Sequence, residues 1–160
     1  MTRTARTRTA ILEGDMETKT TRVLVAEDEE DLRVLLSTML AKDGYEVIAV
    51  GDGAELLDYL GSVHLQDGSA RPVDLIISDI QMPGWTGLQI LQGIRAKDWA
   101  TPVILITGFG SREVRREASR LGVTAFFDKP FDVDDLRTTV LNVLPVEPGG
   151  GPGRFSRLGV

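Results

Sequence analysis

The 160-residue chain predicts an α/β domain, a parallel sheet of five strands covered by helices on both faces. Three observations predict it. Short runs that are apolar at every position, such as Leu75-Ile76-Ile77 and Val103-Ile104-Leu105-Ile106, read as strands buried on both sides. Amphipathic stretches of helical spacing alternate with these runs, which is the pattern of crossover connections in a right-handed, doubly wound sheet. Ser111 and Asp132 stand just before two of those stretches, where a side-chain oxygen caps the free N–H groups of a helix start.

In chain order, residues 1–21 (MTRTARTRTAILEGDMETKTT) show no sustained apolar period and predict a disordered arm. A strand over 23–26 precedes a helix marked by Leu32, Leu35, Leu36, Met39 and Leu40, then a strand over 47–50. A second helix is expected over 53–60, a strand over 74–78, a helix over 87–97 and a strand over 103–106. The series closes with a helix over 112–121, a strand over 124–127 and a helix begun by Asp132. The connection 61–72 is long for such a unit and reads as a tolerated surface insertion, with His64 as a surface residue inside it. The tail 146–160 (VEPGGGPGRFSRLGV) is dense in Gly and Pro and reads as a flexible end or linker stub. The folded domain is therefore expected over 22–145.

Composition removes several function classes. With no cysteine there are no disulfides or thiolate metal sites, and nothing points to an oxidising compartment, so a cytoplasmic location is expected. The apolar runs are of strand length and the N-terminus has no apolar signal core, which predicts neither membrane insertion nor export. A net charge of -6 opposes direct nucleic-acid binding, which needs a basic footprint to displace counterions.

In open sheets of this kind ligands sit outside the carboxyl ends of the strands. The first strand ends in Glu27-Asp28, the third in Asp79, the fourth in Thr107 and the fifth in Lys129. Taken singly each has a plain reading: a charged helix start, an acid before a turn, a strand residue, a turn lysine. Gathered at one edge, three carboxylates repel one another unless a cation or a proton relieves them. Mg²⁺ suits such an oxygen set, with Asp28 and Asp79 as direct ligands and Glu27 acting at longer range or through water. An Asp carboxylate is also a nucleophile for phosphoryl transfer. A phosphoryl group on Asp79 would have its charge balanced by the metal and by Lys129, and the Thr107 hydroxyl could donate to it.

These residues resemble the response-regulator receiver domain of two-component signalling over about 22–145. The motifs that carry the resemblance are the acidic pair in VLVAEDEEDLR, the Asp followed by Met-Pro in LIISDIQMPGWTGLQIL, the Thr of PVILITGFG and the Lys-Pro-Phe of FFDKPF. The resemblance implies a flavodoxin-like strand order of 2-1-3-4-5. It implies Asp79 as phosphoacceptor, Glu27 and Asp28 around Mg²⁺, the Gln81 backbone carbonyl as a further metal ligand, Thr107 as switch hydroxyl and Phe126 as switch aromatic. A cis Lys129-Pro130 bond is implied as well. The partners it implies are a histidine kinase or histidine phosphotransfer protein and a downstream protein target, and it allows a homodimer through the fourth helix, fifth strand and fifth helix. That same face, with the loop around Gly108 and Gly110, is where phosphorylation is expected to change the conformation. The protein is then a switch rather than an enzyme, its chemistry limited to phosphoryl acceptance and slow self-dephosphorylation. No second domain is read in the chain, so a stand-alone receiver is expected.

The chain departs from the family pattern in three respects. The acidic pair is Glu-Asp where Asp-Asp is commoner, Gln81 and Phe109 stand at the positions that tune phosphoryl lifetime, and the 61–72 connection is long. Phe109 is expected to screen the acyl phosphate and slow its hydrolysis. Trp85 is expected beside the site and Trp99 before the fourth strand. A Mg²⁺-dependent aspartyl-phosphate phosphatase would need a second acid where Gln81 stands. A flavin-binding protein would need a neutral loop where residues 27–31 are acidic. A pseudo-receiver that only binds partners would not need Asp79, Thr107 and Lys129 together.

Overall fold

The runs apolar on every position form strands because only a sheet covered on both sides can bury them. β1 (Arg22–Ala26), β2 (Glu46–Val50), β3 (Leu75–Asp79), β4 (Val103–Thr107) and β5 (Ala125–Asp128) alternate with α1 (Glu30–Lys42), α2 (Gly53–His64), α3 (Gly87–Ala96), α4 (Arg112–Arg120) and α5 (Val133–Val143). The computed structural model describes residues 20–64, 72–97, 99–146 and 155–157. All strand pairs are parallel, and the five run in the expected order 2-1-3-4-5. A short sixth strand, β6 (Phe155–Arg157), pairs with β2 and was not expected from the Gly/Pro-rich tail. Ladder pairing at a sheet edge uses backbone groups alone, so composition gives little warning of it. The expectations for 1–19, 65–71 and the rest of the tail lie outside the described residues, as does the His64 side chain.

The two faces bury separate cores. One packs Val23, Val25, Val47, Ile77, Ile104 and Ile106 against Leu36 and Leu40 of α1 and Leu136 and Val140 of α5. The other packs Leu24, Ile48, Ile76 and Leu105 against Leu56 and Leu60 of α2, Ile90 and Ile94 of α3 and Ala118 of α4. Leu35, expected on the buried stripe of α1, is half exposed; the buried stripe runs through Arg33, Leu36, Ser37 and Leu40 instead. Both predicted caps form: the Ser111 side chain accepts from the Val114 N–H and that of Asp132 from the Asp134 N–H. α3 begins with a complete capping box between Thr86 and Gln89.

Three further features fix how elements meet. The Gly53 N–H donates to the Pro83 carbonyl at 3.1 Å, and a Cβ on Gly53 would fall 2.0 Å from the Trp85 carbonyl oxygen, so α2 starts in backbone contact with the loop after β3. α2 and α3 leave between them an apolar cleft of about 310 Å³ lined by Leu57, Leu60, Trp85, Ile90, Ile94 and Trp99. At the other end of the sheet, Arg137 of α5 forms a two-pronged pair with Asp43 at 2.7 and 2.8 Å, and the Tyr45 hydroxyl donates to the Leu144 carbonyl. Among the described residues no helix is long and apolar enough to cross a membrane.

Candidate functional site

The register of the sheet brings the strand ends together. β3 runs one residue beyond the expected end, so Asp79 is its last residue and pairs with Ile106, one before Thr107. The Ile80 N–H donates to the Ile106 carbonyl at 2.8 Å, and the Lys129 N–H to the Thr107 carbonyl at 2.7 Å, which extends the ladders past the acid and the lysine. Gly87 has to approach closely here, since a Cβ on it would lie 2.5 Å from the Asp79 carbonyl oxygen and 3.0 Å from the Ser78 hydroxyl. The Lys129-Pro130 bond is cis, as the resemblance implied.

Lys129 links two of the acids. Its Nζ donates to Asp79 Oδ2 at 2.6 Å and to Glu27 Oε1 at 3.1 Å, with Glu29 Oε2 at 4.0 Å. Asp79 Oδ1 accepts from the Gln81 N–H at 2.7 Å. Both Asp79 oxygens are therefore held in place. Carboxylate oxygens of Glu27, Asp28 and Asp79 all lie within 4.8 Å of one another, with Glu27 and Asp79 buried and Asp28 exposed. Burial, then the Asp79 charge, push the Glu27 carboxyl up to about 7 against the pull of Lys129. Burial works against the Lys129 ammonium, but its hydrogen bonds to Asp79 and Glu27 outweigh that and raise its pKa above the ordinary lysine value.

An oxygen-coordinated divalent cation fits this set. Glu27 Oε2 is buried and has no hydrogen-bond partner, which leaves an acceptor that costs stability until something binds it. Three carboxylates against one ammonium leave a formal charge of -2, the charge a divalent ion balances. Every side-chain donor is a hard oxygen, which suits magnesium and not a thiolate- or imidazole-seeking metal.

Thr107 is fully buried and its Oγ1 accepts from the Phe109 N–H at 3.0 Å, tying the start of the β4–α4 loop to the strand end. Phe126 is not in the acidic cluster. It lies partly buried on the α4 face of β5, with the Arg115 guanidinium 4.5 Å from its ring centroid. Phe109 is 79 % exposed, Gln81 is exposed, and Trp85 stands at the rim of the α2/α3 cleft.

Two contributors escaped the sequence reading. Arg33 is buried and its Nη1 donates to the Glu27 carbonyl at 2.9 Å, which braces the turn carrying the acidic pair. Its signal was a charged residue three and seven positions before Leu36 and Leu40 on the buried stripe of a helix. Arg115 gave no such signal, being one of four arginines on a highly charged helix.

Fold and site together define a doubly wound signalling domain with an acidic pocket at the carboxyl edge of its sheet. The chain belongs to the response regulator receiver domain family, whose model matches residues 23–141. It is 31 % identical over 126 residues to sporulation initiation phosphotransferase F of Bacillus subtilis, covering 79 % of this chain and 95 % of that one. It is 37 % identical to the transcriptional regulatory protein PdtaR of Mycobacterium tuberculosis over 72 % of this chain and 52 % of that one, and 32 % identical to the regulatory protein AtoC of Escherichia coli, of which it spans 26 %. Among solved structures, the chemotaxis protein CheY4 of Vibrio cholerae superposes with a TM-score of 0.66 at 30 % identity, over 79 % of this chain and 100 % of that one. A Francisella response regulator receiver domain does so with a TM-score of 0.68 at 27 % identity, over 78 % and 96 %.

Proposed function

We propose that Asp79 accepts a phosphoryl group from the phosphohistidine of a histidine kinase or histidine phosphotransfer protein, and that the domain then acts as a conformational switch on a protein target. The observation that carries this reading is the clamping of both Asp79 oxygens, by Lys129 at 2.6 Å and by the Gln81 N–H at 2.7 Å, beside two further acids. An Asp79 oxygen attacks phosphorus, the phosphorus–nitrogen bond breaks, and the imidazole leaves as an acyl phosphate forms. Lys129 orients the nucleophile beforehand and faces the new phosphoryl charge afterwards. Glu27, Asp28 and Asp79, with the Gln81 carbonyl, are the residues to hold Mg²⁺, which when bound offsets the phosphoryl charge. Thr107 then exchanges its bond from the Phe109 N–H for one to a phosphoryl oxygen, and the β4–α4 loop and Phe126 follow, altering the α4-β5-α5 face. That face is where a partner, or a second copy, would read the change.

Acetyl phosphate with and without Mg²⁺, added to the wild type and to Asp79→Asn, tests the reading by intact mass. The expected result is one phosphoryl group on the wild type only, and only with Mg²⁺. A wild type that gains no mass would leave a domain that binds partners without phosphoryl chemistry. Phe109 points into solvent in the resting structure, so the slow hydrolysis expected of it requires the side chain to fold over the acyl phosphate. Phe109→Ala should then shorten the lifetime of the phosphorylated form, followed by loss of the mass gain with time.

A further inference from the structure

Arg115 of α4 bridges to two residues of β5. Its guanidinium lies over the Phe126 ring at 4.5 Å and pairs through Nη2 with Asp128 Oδ2. Phe126 and Asp128 lie two apart on β5, so both project to the α4 side, while Phe127 turns to the other face and meets Phe131 in a tilted contact with ring centroids 5.8 Å apart. The β4–α4 loop is wedged into the same cluster. A Cβ on Gly110 would sit 2.8 Å from Asp128 Oδ1, 3.1 Å from Phe126 Cε1 and 3.3 Å from Thr107 Cγ2. The loop that leaves Thr107 therefore cannot shift without moving against the ring and the acid that Arg115 holds.

We propose that Arg115 is a latch on the resting state: it pins the partly buried Phe126 ring where it lies by covering its face and fastens α4 to β5 through Asp128, so that the switch must break these contacts to operate. This inference rests on Phe126 being the moving aromatic. Arg115 is a positioning residue outside the acidic cluster. The ring and the carboxylate hold the guanidinium from two sides, one through its face and one through Nη2. Both contacts are half exposed, with Arg115 and Asp128 side chains 45 % and 53 % accessible, so the latch is weak enough for a phosphoryl group to release and is screened by salt. A contact of that strength shifts a two-state equilibrium by roughly threefold to tenfold, which is the size of a bias and not of a lock.

The test uses the full chain and two readouts. The first is the NMR signature of the Phe126 ring and the Thr107 amide in the unphosphorylated protein, which does not depend on any phosphoryl chemistry. Arg115→Ala and Asp128→Asn are expected to displace both signals and Arg115→Lys to return most of the displacement, because a lysine keeps the charge over the ring. The second is the initial rate of phosphorylation by acetyl phosphate with Mg²⁺, expected to rise roughly threefold to tenfold in Arg115→Ala and to show less salt dependence than the wild type. Phe126 signals that stay in place in Arg115→Ala would overturn the latch, as would displaced signals with an unchanged or slower rate. If the wild type takes no phosphoryl group, the Asp79 reading fails, and the ring signals alone still decide whether Arg115 holds Phe126.

Discussion

Glu27 carries its carboxylate into the buried floor of the site beside Asp79. Its ordinary carboxyl value of 4.5 is pushed up to about 7 by burial and by Asp79, and one of its oxygens is without a hydrogen bond. Between about 4.5 and about 7 the folded chain holds a proton that the unfolded chain has released, so stability falls as pH rises through that window, by at most about 1.4 kcal/mol per pH unit. Denaturant unfolding at a series of pH values without metal should show this decline, and Glu27→Gln should flatten it. A cation must displace the same proton, so Mg²⁺ affinity is expected to climb up to about pH 7 and then level off, and to drop in the same variant. A Mg²⁺ affinity flat from pH 5 to 8 would argue against Glu27 as a participant.

At the scale of elements, glycines separate contacts that are required from space that is open. A methyl group at Gly53 would meet the Trp85 backbone at 2.0 Å, and backbone cannot rotate out of the way. Gly53→Ala is expected to destabilise by about 2–3 kcal/mol and to disturb the loop after β3, read by thermal unfolding and by Trp85 fluorescence. A methyl group at Gly93 would meet nothing within 4 Å, so Gly93→Ala in the same assay should stabilise by about 0.5–1 kcal/mol through helix propensity. Thr86→Ala removes the side-chain half of the α3 capping box, the bond that Thr86 Oγ1 accepts from the Gln89 N–H, and should cost about 1 kcal/mol. The strands were legible in the sequence because Val103 to Ile106 and their counterparts are apolar on both faces, a pattern no helix start or loop reproduces. The acids and Lys129 were legible because strand ends converge whatever the side chains around them. Arg33 and Arg115 were not, since their partners are a carbonyl and a ring brought near only by tertiary packing. β6 was hidden because backbone pairing at an edge leaves no side-chain period to read.

For the whole molecule, the two cores close around five strands, and β6 adds only three residues to the β2 edge. Ending the chain after Val146 is therefore expected to leave the unfolding transition cooperative, at a cost of no more than about 1–2 kcal/mol. The uncovered β2 edge should increase self-association, measurable by sedimentation. The resting assembly is also fastened unevenly. α5 is fastened to the α1–β2 turn by Arg137 on Asp43 and by the Tyr45 hydroxyl on the Leu144 carbonyl and buries Leu136 and Val140, whereas α4 is tied to β5 by the Arg115 contacts and buries only Ala118. A mechanical comparison is apt: α5 is the frame and α4 the hinged panel. Displacement that begins at Thr107 would be taken up mainly by the panel, so a partner that gripped α4 would feel the larger difference and one that gripped α5 alone the smaller.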